Sequence, residues 1–141
     1  MELRVREDQP LTLSKAEAAA RQVEGAIEAL VRGHFDIAIT LAGAAEDMLD
    51  RPGSLFDYQR DHPRAKKLGL EEDTQRKALA DHMNVERNWL KHKGPPESME
   101  FTLYSAAFMI ARAVTTLAPE RSNSPIQAFS RWWADYVETL N

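Results

Sequence analysis

Apolar residues recur at helical spacing along most of this chain, and polar or glycine-proline punctuation separates the runs. Val23, Ile27, Leu30 and Val31 follow Ala16, Ala19 and Ala20, and steps of three and four place such residues on one face of a helix. Ser14 and Glu17 precede the run at capping-box spacing, which satisfies amide groups orphaned at a helix start. Gly33 supplies the stop, since glycine accepts the left-handed conformation that ends helices. A second helix is predicted from about Phe35 to Asp50. Ile37, Leu41, Ala44, Ala45, Met48 and Leu49 line its apolar face. Ala38, Ala42 and Gly43 are small enough to let a neighbouring backbone come close, and Pro52-Gly53 ends the run.

The later part of the chain reads the same way. A third helix is predicted over about 71–93, with Leu79, Met83 and Leu90 on one face and Ala78, Val85 and Trp89 on a second. One stripe is expected in the core and the other against a partner. A fourth helix is predicted over about 98–118. Its apolar stripes leave only a narrow polar arc at Ser105, Arg112 and Thr116. The fifth is predicted to start with Ser124 as its cap and Pro125 at its first helical position. Ile126, Phe129, Trp133, Tyr136, Val137 and Leu140 form its stripe. Residues 1–12 read as an arm. Residues 51–70, with Pro52, Gly53, Pro63 and Gly69, read as a long loop. The expected fold is all-α: a single domain over residues 1–141, built as a four-helix up-down-type bundle with an additional C-terminal helix.

Composition narrows the chemistry. The chain has 141 residues, enough for one domain with its own core. It has no cysteine, so disulfides, thiolate metal sites and cysteine nucleophiles are excluded. The charged segment Met1-Glu2-Leu3-Arg4-Val5-Arg6-Glu7 has no apolar core of a signal peptide, and no apolar run has membrane-spanning length. A cytoplasmic location with no membrane association is expected. The net charge of −4 argues against a general polyanion-coating protein. It leaves room for local basic patches. Arg51, Arg60, Arg64, Lys66 and Lys67 crowd the predicted loop around Phe56 and Tyr58, and Arg87, Lys91 and Lys93 surround His92. Arg60, Arg64, Lys66, Lys67, Lys91 and Lys93 are candidate contacts for an RNA backbone, with Phe56 or Tyr58 available to stack a base.

The stretch Arg87-Asn88-Trp89-Leu90-Lys91-His92 carries the most chemistry. On a straight helix, Asn88 and His92 are neighbours one turn apart, with Arg87 at the edge of the same surface. Histidine titrates near neutrality and serves as acid or base. Arginine stays charged and grips phosphate oxygens in pairs. Asparagine can orient the ring or bond the phosphate. Arg76 and His82 share the loose spacing, but Lys77 follows that arginine.

This pattern, near the end of a helix in a helical protein, resembles the catalytic signature of the HEPN superfamily. The alanine-rich segment Leu41-Ala42-Gly43-Ala44-Ala45-Glu46-Asp47-Met48-Leu49 is similar to an earlier helix of such domains. The resemblance implies a metal-independent endoribonuclease without a cofactor, with Arg87, Asn88 and His92 as catalytic residues. It also implies a composite site formed by two copies, for which Ala78, Val85 and Trp89 on helix three supply the expected homodimer surface. Toxin–antitoxin, phage-defence and RNA-processing settings, and a cognate protein partner, are implied by the same resemblance. The alternative is a non-catalytic helical module for protein interaction or nucleotide binding. No Glu-x-x-His pair, Gly-x-Ser-x-Gly turn or phosphate-cradling glycine loop is present.

Overall fold

Ser14 starts the first helix as the sequence predicts. Its hydroxyl accepts from the Glu17 amide at 3.1 Å, and the Glu17 carboxylate accepts from the Ser14 amide at 3.4 Å. Helix α1 then runs Lys15–Val31. At its end Gly33 takes φ 77°. The Gly33 amide donates to the Leu30 carbonyl and the His34 amide to the Ala29 carbonyl, a Schellman closure. Helix α2, Phe35–Met48, comes immediately after, and so short a connection folds it back along α1.

The computed structural model describes residues 1–6, 8–49 and 84–140. Among them, all regular structure is helical and there is no strand. After α1 and α2 come α3 (Val85–Lys91), α4 (Leu103–Val114), a 3-10 turn (Pro119–Arg121) and α5 (Ser124–Thr139). The all-α bundle is thus the observed class. The predicted loop over 51–70 and the first part of the predicted third helix, with Leu79, Met83 and Ala78, lie outside the described residues.

The core lies where α1, α2 and α4 meet, and alanine dominates it. Ala19, Ala26, Ala38, Ala42, Ala45, Ala106, Ala107 and Ala113 are all fully buried. Small side chains let helix axes approach closely, and Val23, Ile39, Met109 and Ile110 fill the remaining space. On α2 the deepest positions are Ala38, Ile39, Ala42 and Ala45. Ile37, predicted inward, is half exposed. The inward face is therefore rotated toward the small residues, because these permit the close approach.

Helix α5 docks through Ile126, Phe129 and Trp133. Phe129 and Trp133 stack at 6.3 Å, and Phe108 of α4 meets Trp133 at 6.4 Å. Its cap is Asn123, not Ser124. The Asn123 carboxamide oxygen accepts from the Ile126 amide, which moves Pro125 to the second helical position. That shift costs no hydrogen bond, because amides in the first turn have no intrahelical acceptor. Helix α4 starts later than predicted, at Leu103, where Thr102 caps it through the Ser105 amide. No helix among the described residues is long and apolar enough to cross a membrane.

The alanine interface yields a direct test. Ala42→Leu inserts three carbons where no space remains, and should cost about 1–3 kcal/mol, read as a lower urea midpoint with an unchanged slope.

Candidate functional site

Arg87 is held by α2 rather than extended into solvent. The first turn of α3 points it at the last turn of α2, where Gly43, Glu46 and Asp47 share a surface. Its Nη1 donates to Glu46 Oε1 at 3.2 Å, and its Nη2 donates to the Gly43 carbonyl at 2.7 Å. Nη2 also pairs with Asp47 Oδ2. The Arg87 side chain is only 12% exposed. Gly43 is what permits this path. A Cβ there would stand 2.6 Å from Arg87 Nε and 2.9 Å from Cδ, closer than packed atoms tolerate.

Behind Arg87 lies a residue that the sequence pattern places on an outward polar arc. Arg112 of α4 is fully buried. Its Nε donates to Glu46 Oε2 at 2.9 Å and its Nη2 to Glu46 Oε1 at 2.7 Å. This is a two-pronged grip on the same carboxylate that Arg87 touches. Burial pulls the Arg112 guanidinium below the usual arginine range, and the bonds and charge of Glu46 oppose that pull. Thr116 is buried beside it and satisfies its own hydroxyl on the Ala113 carbonyl. The polar arc turns inward because it has a buried carboxylate to meet. A signal existed in the sequence. Glu46 sits seven positions after Ile39 and four after Ala42, in register with the α2 face that is buried.

The remaining candidates divide between separate surfaces. Arg87 and Lys91, with Thr40, Ala44, Asp47 and Leu90, line a cleft of about 360 Å³ between α2 and α3. Asn88, His92 and Lys93 line another, of about 310 Å³, facing the connector through Met99. The sequence pattern instead predicts one surface with Arg87 at its edge. The helix ends at Lys91, short of the predicted Lys93, and His92 is its C-cap with an extended backbone (φ −123°, ψ 159°). The His92 amide still bonds the Asn88 carbonyl at 3.0 Å. The ring therefore leaves from a residue outside the helical track, exposed to solvent. Lys93 is exposed as well. Lys91 reaches toward Asp47, its Nζ 3.9 Å from Oδ2.

Trp89 is already committed within the chain. Its indole Nε1 donates to the Pro96 carbonyl at 2.7 Å, and its ring meets Phe101 at 5.9 Å. Val85 of the same expected dimer stripe is exposed. Ala78 and the basic residues Arg60, Arg64, Lys66 and Lys67 lie outside the described residues. Among the described residues, no group of three or more histidine, aspartate or glutamate side chains is placed to hold a metal ion. No protein-family model, curated protein or solved structure matches this chain.

Two stability measurements check this geometry. Glu46→Ala removes the carboxylate that takes two hydrogen bonds from the buried Arg112 and should cost about 3–5 kcal/mol. Arg87→Ala leaves Glu46 paired with Arg112 and should cost less, about 2 kcal/mol. Equal losses would show that Arg112 does not depend on Glu46. Separately, Gly43→Ala should destabilise the parent by displacing Arg87. Placed on Arg87→Ala, the same change should stabilise by about 0.5–1 kcal/mol, the ordinary gain of alanine over glycine in a helix. Chemical denaturation of the four proteins in the cycle reads the reversal of sign.

Proposed function

We propose that this chain is a HEPN-like domain protein that acts as a metal-independent endoribonuclease, with a composite site formed by two copies. The observation that carries the reading is that one short helix carries two unlike groups, a held cation in its first turn and an exposed imidazole at its C-cap. Arg87 is a positioned cation on the rim of a cleft with Lys91 beside it. His92 is an exposed proton carrier at the cap of the same helix. Cleavage needs both. A base removes the ribose 2′-hydroxyl proton as that oxygen attacks phosphorus. The bond to the 5′-oxygen breaks, and an acid supplies that oxygen with a proton. The products are a 2′,3′-cyclic phosphate and a 5′-hydroxyl. Arginine and lysine offset the charge that grows on the phosphorane. Asn88, on the His92 side, orients the ring or the phosphate.

Within one chain Arg87 and His92 open onto different clefts. Two copies related by a twofold axis near the end of α3 would let each His92 face a phosphate held by the other copy's Arg87 and Lys91. Where the two copies share one phosphate on that axis, the two equivalent histidines would supply its base and its acid. A cognate protein partner belongs to the same proposal. One observation favours the alternative of a non-catalytic interaction or nucleotide-binding module: Arg87 already has two carboxylate partners, as a purely structural arginine would.

A single assay separates the two. Incubated with mixed RNA and a chelator, the protein should release fragments ending in 2′,3′-cyclic phosphate, and His92→Ala should reduce the rate at least ~100-fold, the usual scale of acid–base catalysis. The protein should scatter light as a dimer at micromolar concentration. Undiminished cleavage by His92→Ala would sink the assigned chemistry, and a strict monomer would sink the composite site.

A further inference from the structure

Two carboxylates touch Arg87, and they are not equivalent. Glu46 is 9% exposed and gripped through both oxygens by the buried Arg112. Asp47 is 56% exposed and, among the described residues, pairs through one oxygen, Oδ2, with the held Arg87 and the exposed Lys91. Exposed pairs of this kind contribute little net stability, whereas one gripped in the interior is costly to open. Glu46 is therefore a fixed anchor and Asp47 a releasable contact.

The position of Asp47 matters more than its strength. Its Oδ2 pairs with both the Arg87 guanidinium and the Lys91 ammonium, and all three side chains line the cleft with Thr40, Ala44 and Leu90. An anionic oxygen bridging an arginine and a lysine is the arrangement a bound phosphate oxygen adopts. The cleft volume of about 360 Å³ is within the ~300–1,000 Å³ range of small-ligand sites. Local charge points the same way. Within the ion-pair cluster of Arg87, Arg112, Lys91, Glu46 and Asp47, three cations stand against two carboxylates, and Asp47 turning to solvent leaves one carboxylate. When it turns, Arg87 stays in place, because Glu46 and the Gly43 carbonyl still hold it.

We propose that Asp47 is a built-in competitor for RNA: its carboxylate occupies the seat between Arg87 and Lys91 that a backbone phosphate of the substrate takes, and must swing out before RNA engages. This rests on reading Arg87 as a phosphate ligand, and it is independent of whether the chain cleaves. The site thus has a threshold. Isolated weak anions do not displace an aspartate that is always at hand, whereas a polyanion with several phosphates in reach does.

The test is a gain of binding. Fluorescence anisotropy of a labelled single-stranded RNA bearing 2′-O-methyl groups, which block cleavage, measures affinity for the full chain at fixed low salt. Asp47→Asn keeps the side-chain shape and removes the charge, and should tighten binding on the order of tenfold. Asp47→Ser, a smaller neutral residue, should do the same. Asp36→Asn, which removes an equal charge from the first turn of the same helix, should change affinity far less. In an Arg87→Gln, Lys91→Gln background the gain should vanish. Unchanged or weaker binding by both Asp47 variants, with the parent binding RNA, overturns the competitor and leaves the phosphate reading intact. A gain equal to that of Asp36→Asn, or one that survives loss of Arg87 and Lys91, also overturns it. No binding by parent or variants overturns the competitor and the phosphate reading together.

Discussion

The Glu46 carboxylate joins three helices at one point. It comes from the last turn of α2, takes both prongs of Arg112 from α4, and receives Arg87 from α3. Burying charge is costly, and here each group offsets the other's cost, with hydrogen bonds aligned along both carboxylate oxygens. Such an arrangement contributes less to net stability than a well-packed apolar replacement of the same shape. What it imposes is register. An alanine-rich interface between α2 and α4 has few large side chains to define how the helices slide, and the pair Glu46–Arg112 admits one alignment.

From that point the candidate site inherits its order. Arg87 is anchored at its guanidinium by Glu46 and along its stem by the open space over Gly43. The short helix α3 has contacts with α2 as its main attachment among the described elements, so the arginine both docks the helix and lines the cleft beside it. A side chain held this way gives up little rotamer freedom when a ligand arrives, which is the condition for a preorganised anion contact. The same residue can therefore hold the packing and also carry the proposed chemistry. A structural reading and a catalytic reading of Arg87 are not exclusive.

Local signals made the first helix fully legible. Ser14, Glu17 and Gly33 act through hydrogen bonds within a few residues, and the structure uses each of them as expected. Where two neighbours offered the same service, sequence order did not decide: Asn123 took the cap that Ser124 was expected to provide, because a carboxamide one residue earlier reaches the Ile126 amide. Arg112 was illegible as a buried residue for a different reason. Its partner is 66 positions away, and an arginine flanked by Ser105 and Thr116 on a wheel reads as a solvated arc until Glu46 is known to lie opposite. Of the candidate site, the sequence singles out Arg87, Asn88 and His92 as a pattern, but it does not show that they line two different clefts. The helix stop at Lys91 adds to that division by taking His92 out of the helical track.

The early stop has a physical origin in the residues beyond it. Lys93-Gly94-Pro95-Pro96 cannot continue a helix: proline lacks the amide, restricts the residue before it, and Gly94 sits at φ 129°. The indole of Trp89 then ties the connector back by its bond to the Pro96 carbonyl, while its ring packs on Phe101. The chain leaving α3 is thereby pinned against the helix face opposite to α2. His92, at the start of that connector, is carried to the Asn88 side, and Arg87 stays on the α2 side because Glu46 holds it. Two tethers acting in opposite directions separate the cation from the imidazole within one chain. In the proposed composite site the second group at each phosphate comes from the other copy. This separation supports a composite site more firmly than the apolar stripe of α3 does, since Trp89 of that stripe is already engaged within its own chain.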